Sequence, residues 1–244
     1  MEKEVTQLLL GSLKLNDQQC EFPIRYEGQT ISFDKSVGHG SIPWVAINRT
    51  LFCTLNLIVD ISWEALESNK LITGQKINID GFPFLSRVPT PGIEDRDEWD
   101  AAMELYNGDN TVLHWRGCPS WCQEKYAANM SMRIVRGGEW AKRWGGLIPF
   151  EKAGWRPVLE PIGIDPSRFR FLLMEELLYG QELLIWSEDL VFRGTLVNHT
   201  AYDLILIPSS YMAVKTSSMH QITNGELIID RAQIDCIQLG YSQY

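Results

Sequence analysis

Residues 1–60 alternate apolar and polar side chains in short runs broken by Gly and Pro, as in Glu21-Phe22-Pro23-Ile24-Arg25-Tyr26, Thr30-Ile31-Ser32-Phe33 and Leu55-Asn56-Leu57-Ile58-Val59. A period of two sends every second side chain to one face, so strands are predicted. Ser62 is placed to cap a short helix over Trp63 to Asn69, with Glu64 in its first turn and Thr73-Gly74 as the stop. Lys76-Ile77-Asn78-Ile79 and Phe82-Pro83-Phe84-Leu85 then flank Asp80-Gly81, a dipeptide that tolerates the positive φ angles of a tight hairpin turn. Pro83 predicts that its strand lies at an edge. Over 94–109 the period becomes helical, with Trp99, Ala102 or Met103, and Tyr106 on one side, Asp97 as N-cap and Gly108 as the stop. A further helix is expected from Ser167 to Tyr179, capped by Asp165 with Pro166 at its first position. Beyond it, Glu182 to Trp186, Leu190 to Val197, Tyr202 to Ile207, Glu226 to Ile229 and Ile234 to Leu239 predict a small antiparallel barrel of about five strands.

Composition adds a bound and then a map. A chain of 244 residues that is 45% hydrophobic can bury a core, and 22 basic against 31 acidic residues argue against a whole-molecule grip on nucleic acid or anionic membrane. The net charge of −9 is unevenly spread. Residues 94–109 hold seven acids against Arg96 alone, a pattern that reads as a solvated helix with a dipole-matched start. Residues 110–158 invert this with eight bases against three acids, and they carry five of the nine Trp. Arg and Trp together are what recognition hot spots are made of, although Trp residues also fill cores. Residues 180–244 return to three bases against seven acids, which disfavours an RNA-binding role for the barrel.

Five cysteines at 20, 53, 118, 122 and 236 form an odd, scattered set, which fits a reducing compartment. No apolar run is long enough for a leader or a membrane anchor, so a cytoplasmic or virion-associated location is expected. Cys118 and Cys122 lie near His114, but a zinc site needs two close ligand pairs, so two semi-buried thiols, no metal and no cofactor are expected.

The run Arg133-Ile134-Val135-Arg136-Gly137-Gly138-Glu139-Trp140, followed by Gly154-Trp155-Arg156-Pro157-Val158-Leu159, resembles the Arg-Gly-Gly signature of the formylglycine-generating-enzyme branch of the C-type-lectin-like fold. That branch includes the variable proteins of diversity-generating retroelements and a group common in phages and mobile elements of Gram-positive bacteria. Asp80-Gly81-Phe82-Pro83-Phe84-Leu85, Asp97-Glu98-Trp99-Asp100 and Ser120-Trp121-Cys122-Gln123-Glu124 are similar to further segments of that group, so the resemblance covers roughly residues 70–162. It implies an α+β fold with a C-type-lectin-like core at 71–163; the strand alternation places a β-rich region at 1–70 before it, and Gly180 to Ile185, Phe192 to Val197 and Tyr202 to Leu206 resemble the strands of an Sm- or SH3-like barrel, expected at 164–244. It also implies that Glu139 to Ala153 faces a ligand, with Trp140, Lys142, Arg143, Trp144, Phe150 and Lys152 as the binding side chains.

Arg133, Arg136, Gly137, Gly138, Trp155 and Arg156 read as a structural motif. The glycines allow a tight turn or close approach, and the arginines are planar donors able to stitch loop carbonyls together. The thiols of the related enzymes lie in the C-terminal part of that fold, whereas none occurs here from 123 to 235, and the four His are too scattered to nominate a base. A non-enzymatic protein that binds a protein or glycan is therefore expected, with no membrane or nucleic-acid partner and with self-assembly through the barrel and Tyr241 and Tyr244. A thiol- or metal-dependent enzyme and an Sm-like assembly adaptor are the alternatives.

Overall fold

The structure, a computed structural model, describes residues 7–36, 40–92, 97–126, 128–164, 178–187, 190–209 and 220–240. The chain is mainly β, 50% strand and 11% helix, in four sheets that include two curled half-barrels. A first antiparallel sheet runs in the order Leu8–Leu9, Pro43–Ile47, Thr50–Cys53, Val158–Pro161, Phe82–Arg87, Gln75–Ile79. A second runs Trp144–Leu147, Arg133–Arg136, Ser120–Lys125, Lys152–Trp155, Ile58–Ser62, Ile24–Arg25, and includes parallel contacts at Ser120 with Gly154 and Ile24 with Ile58. The third, from the C-terminal part, is antiparallel in the order His220–Thr223, Glu226–Asp230, Asp203–Pro208, Leu190–His199, Glu182–Ser187, Cys236–Leu239. The fourth joins Gln18–Gln19, Ser12–Leu15 and Ile31–Asp34.

The expected α+β, C-type-lectin-like fold is thus overturned. Among the described residues the α-helices are α1 (Trp63–Ser68), α2 (Glu98–Leu105) and α3 (Asn110–Leu113), of 6, 8 and 4 residues. Elements this short cannot form a helical layer over a sheet. Asp165, Pro166 and residues 167–177 of the expected later helix lie outside the described residues, as do Tyr241 and Tyr244. The C-terminal sheet is also not the closed barrel that was expected, because its end strands, His220–Thr223 and Cys236–Leu239, do not pair with each other among the described residues.

Pairing also crosses the early part of the chain. Leu51 pairs with Leu159 and Ile61 with Ala153, so strands from 1–70 share sheets with strands from 71–163. A single core cluster accordingly extends from Leu8 to Val191. The strand Glu182–Ser187 is buried on both faces: Leu184 and Trp186 join that cluster, while Leu183 and Ile185 join a second one inside the C-terminal sheet. This double burial is the seam between the two parts. Arg193 reinforces it, reaching Glu182 at 3.0 Å and Asp80 at 3.1 Å.

Local signals account for much of the detail. Ser62 Oγ accepts from Ala65 N at 3.2 Å, and Asp97 Oδ1 accepts from Asp100 N at 2.7 Å, so both caps stop their helix N-termini from fraying. Asp80 and Gly81, at φ 52° and 88°, make the two-residue turn that pairs Ile79 with Phe82. Pro83, however, sits in an interior strand. Its missing N–H costs nothing there, because the neighbouring strand pairs only from Phe84 to Arg87 and the Pro83 carbonyl accepts from Ile162 N at 3.1 Å. No helix among the described residues is long and apolar enough to cross a membrane.

Candidate functional site

Arg133–Arg136 is a strand whose Ile134 and Val135 are buried, and it ends where Gly137 and Gly138 take φ values of 75° and 94°. A Cβ on Gly137 would lie 2.8 Å from the Trp99 ring and 3.1 Å from the Trp115 carbonyl, so both the backbone angle and the space demand glycine. The chain then turns over α2, pinned by a 2.7 Å hydrogen bond from Trp99 Nε1 to the Ala141 carbonyl, and returns as Trp144–Leu147 beside Arg133–Arg136. Gly145 and Gly146 therefore give no loop freedom. They lie in a strand, where a Cβ on Gly146 would come within 2.8 Å of the Tyr126 ring. After the turn at 148–151, Lys152–Trp155 pairs with Ile58–Ser62.

This hairpin separates the six expected binding residues into two groups. Trp140, Lys142, Arg143 and Trp144 sit beside α2, where Lys142 Nζ meets Glu104 at 2.6 Å. Phe150 and Lys152 sit at the other end, beside α1, where Glu64 N donates to the Pro149 carbonyl at 3.3 Å and Lys152 pairs with Ser62. The strand Trp144–Leu147 and the turn after it hold the two groups apart. Trp140, Trp144 and Phe150 are 57%, 39% and 66% exposed, whereas the other seven Trp are buried.

Three of the eight bases of the stretch, Arg136, Lys142 and Arg143, meet carboxylates within the fold. Arg143 lies 3.7 Å from Glu139 and stacks 5.8 Å from the Trp140 ring, and the hydrogen bond to Glu104 raises the pKa of Lys142. Arg136 is fully buried. It binds Asp97 at 3.5 Å, Asp100, and the Pro91 carbonyl at 3.1 Å, while its guanidinium covers one face of Trp144 at 4.1 Å. Arg156, also fully buried, donates to the carbonyls of Cys53, Thr54, Leu113 and His114 at 2.7–3.1 Å and to Ser120 Oγ at 3.3 Å. Burial pushes its pKa down to about 10, which leaves it charged at neutral pH. Arg133 covers the Trp63 ring at 4.4 Å, and Trp155 packs edge-on against Phe33 at 5.9 Å.

The acidic helix is not the solvated element its composition suggests. Glu98 is 3% exposed and holds Arg87 through two hydrogen bonds of 2.7 and 2.8 Å. Between the two charge blocks, Asp97 and Asp100 meet Arg136 and Glu104 meets Lys142, whereas Arg87, the partner of Glu98, lies outside both and left no signal in the block pattern.

Burial also decides the chemistry of the thiols. It pushes Cys53 up to about 12 and Cys118 up to about 11, and it raises Cys122 as well, so none is a ready thiolate near neutrality. His114, partly buried and near Arg156, has its pKa lowered, and its carbonyl is spent on Arg156. Among the described residues, no group of three or more His, Cys, Asp and Glu is placed to hold a metal ion. Because a folded-state thiol pKa lies above its unfolded value, the native state keeps protons that the unfolded chain releases, and stability falls as pH rises above about 9. Unfolding free energies from urea titrations are expected to fall between pH 8 and 10 by about 1.4 kcal/mol in total for each of the fully buried thiols Cys53 and Cys122, and Cys53→Ala with Cys122→Ala should flatten the slope. An unchanged slope in the double variant would assign the alkaline loss elsewhere.

A scan against protein-family models and searches of curated proteins and of solved structures find no match to this chain.

Proposed function

We propose that this chain is a non-enzymatic recognition protein that contacts a protein or glycan ligand through the exposed aromatic side chains of residues 139–153. The supporting observation is selective exposure: Trp140, Trp144 and Phe150 face solvent in a chain that buries its other seven Trp. Large exposed aromatics are the residues that gain most from being covered by a partner. They are also rigidly mounted, since Trp144 is in a strand and stacked on Arg136, and the turn carrying Trp140 is pinned by Trp99. Rigid presentation lowers the ordering cost of binding. The resemblance of the Arg-Gly-Gly motif to proteins of phages and mobile elements points to bacterial surfaces as the source of ligands.

The test is binding of the purified full-length protein to immobilised bacterial wall polysaccharide and, separately, to surface protein. Trp140→Ala and Phe150→Ala should each weaken binding by about 2 kcal/mol if they are anchors, with unchanged thermal melts because both side chains are exposed. Binding that neither substitution alters would rule out this surface.

A further inference from the structure

A cavity of about 520 Å³ opens between α1 with the turn after it, contributing Trp63, Lys70 and Ile72, and the end of the strand Ser120–Lys125 beside Arg133. Its volume falls in the usual range for small-ligand sites. Its charge runs against that of the molecule. Lys70, Lys125 and Arg133 line it, with Glu67 as the one acid on its wall, and none of these three cations makes an ion pair among the described residues. In a chain of net charge −9, where Lys14, Lys142, Arg87, Arg136, Arg143 and Arg193 all pair with carboxylates, three unpaired cations around one cavity are an uncompensated positive site.

Two local features point the same way. Lys70 occupies the left-handed region, φ 59°, directly after the C-cap of α1, a position that favours Gly or Asn. The exposed Lys70 side chain lines the cavity from that turn. Trp63, whose ring lies under Arg133, keeps its buried Nε1 without an acceptor. The rest of the wall is polar, from Gln123, Thr73 and Glu67, over the buried floor of Trp63 and Ile72. Cations suit an anionic group, and the amide, hydroxyl and carboxylate suit hydroxyl groups.

We propose that this cavity binds a small polyhydroxylated anion, of the class of phosphorylated sugars and sugar acids. The site shares none of its residues with Trp140, Trp144 and Phe150, so it stands or falls independently of the surface described above. Isothermal titration of the full-length protein with glucose 6-phosphate, glucuronate, inorganic phosphate and neutral glucose tests it. At least one charged sugar should bind, more tightly than phosphate and with an affinity that falls on adding salt, while glucose should not bind. Binding of glucose 6-phosphate alone would assign the phosphorylated class, and binding of glucuronate alone the acid class. Lys70→Gln and Lys125→Gln, both at exposed side chains and so compatible with folding, should each weaken the bound sugar about tenfold, the loss of one charge-assisted hydrogen bond. Failure of both charged sugars to bind, equal binding by glucose or by inorganic phosphate, or unchanged affinity in both variants would overturn the proposal.

Discussion

Replacing Arg156 by Met is expected to abolish soluble, cooperatively folding protein. The guanidinium is 0% exposed and donates to the buried carbonyls of Cys53, Thr54 and Leu113, to the buried Ser120 hydroxyl and to the partly buried His114 carbonyl. These belong to three separate segments that sheet hydrogen bonding alone does not hold together. Each buried acceptor left without a donor costs about 1–3 kcal/mol, so losing four or five of them consumes most of a typical stability of about 5–15 kcal/mol. No carboxylate lies within ion-pair reach of Arg156 among the described residues, and it is flanked instead by Trp99 and Phe52 at 5.2 and 5.6 Å. What matters is therefore the five-donor fork rather than the charge, and Arg156→Lys should fail almost as badly because an ammonium carries three donors and no plane. Soluble yield and urea unfolding of both variants decide the matter. A Met variant within about 1 kcal/mol of the parent would mean that water reaches these carbonyls and that the role assigned to Arg156 is wrong.

How far such a role could be read in advance depends on what kind of information each residue carries. Turn and cap chemistry is local, and it was legible: Asp80-Gly81, Ser62, Asp97 and the positive-φ pair Gly137-Gly138 sit where their backbone needs require. Strand alternation is also local, and the C-terminal runs emerge as strands. Partner choice is not local. Nothing in Thr50–Cys53 specifies Val158–Pro161, over a hundred residues away, as its neighbour, and a parallel contact such as Ser120 with Gly154 leaves no trace in either segment. The motif of Arg and Gly pointed to a known fold type, but the same residues serve a mainly β arrangement here, because a guanidinium that satisfies carbonyls stabilises any junction of irregular segments. Exposure of the Trp residues was legible only as a list of candidates. Arg136 covering Trp144 and α2 pinning the next turn are tertiary facts.

The α2 carboxylates separate these two kinds of information experimentally. A solvated Glu98, as composition suggests, would tolerate Glu98→Gln at a cost within about 0.5 kcal/mol. In the fold it is 3% exposed, accepts from both terminal nitrogens of Arg87, and its Oε2 also accepts from Thr90 N at 2.9 Å. Burial opposes the charge on Arg87, yet Glu98 and Glu160 beside it raise its pKa above the ordinary value. With Glu98 neutralised, the carboxylate left to Arg87 among the described residues is Glu160, at 3.3 Å and half exposed to water, beside the neutral Val88 carbonyl at 3.3 Å. Breaking a buried pair from one side costs about 3–5 kcal/mol, because the remaining charge stays desolvated, whereas replacing both partners by apolar residues of similar size is often close to neutral. Urea unfolding should therefore give losses in that range for Glu98→Gln and for Arg87→Met taken singly. The double variant Arg87→Met with Glu98→Leu should recover most of the loss and fall short of the parent by roughly the 1–3 kcal/mol left by Thr90 N without its acceptor. If the double variant lost the full sum of the two singles, the two side chains would be acting separately, and the inward face of α2 would have to be reassigned to solvent.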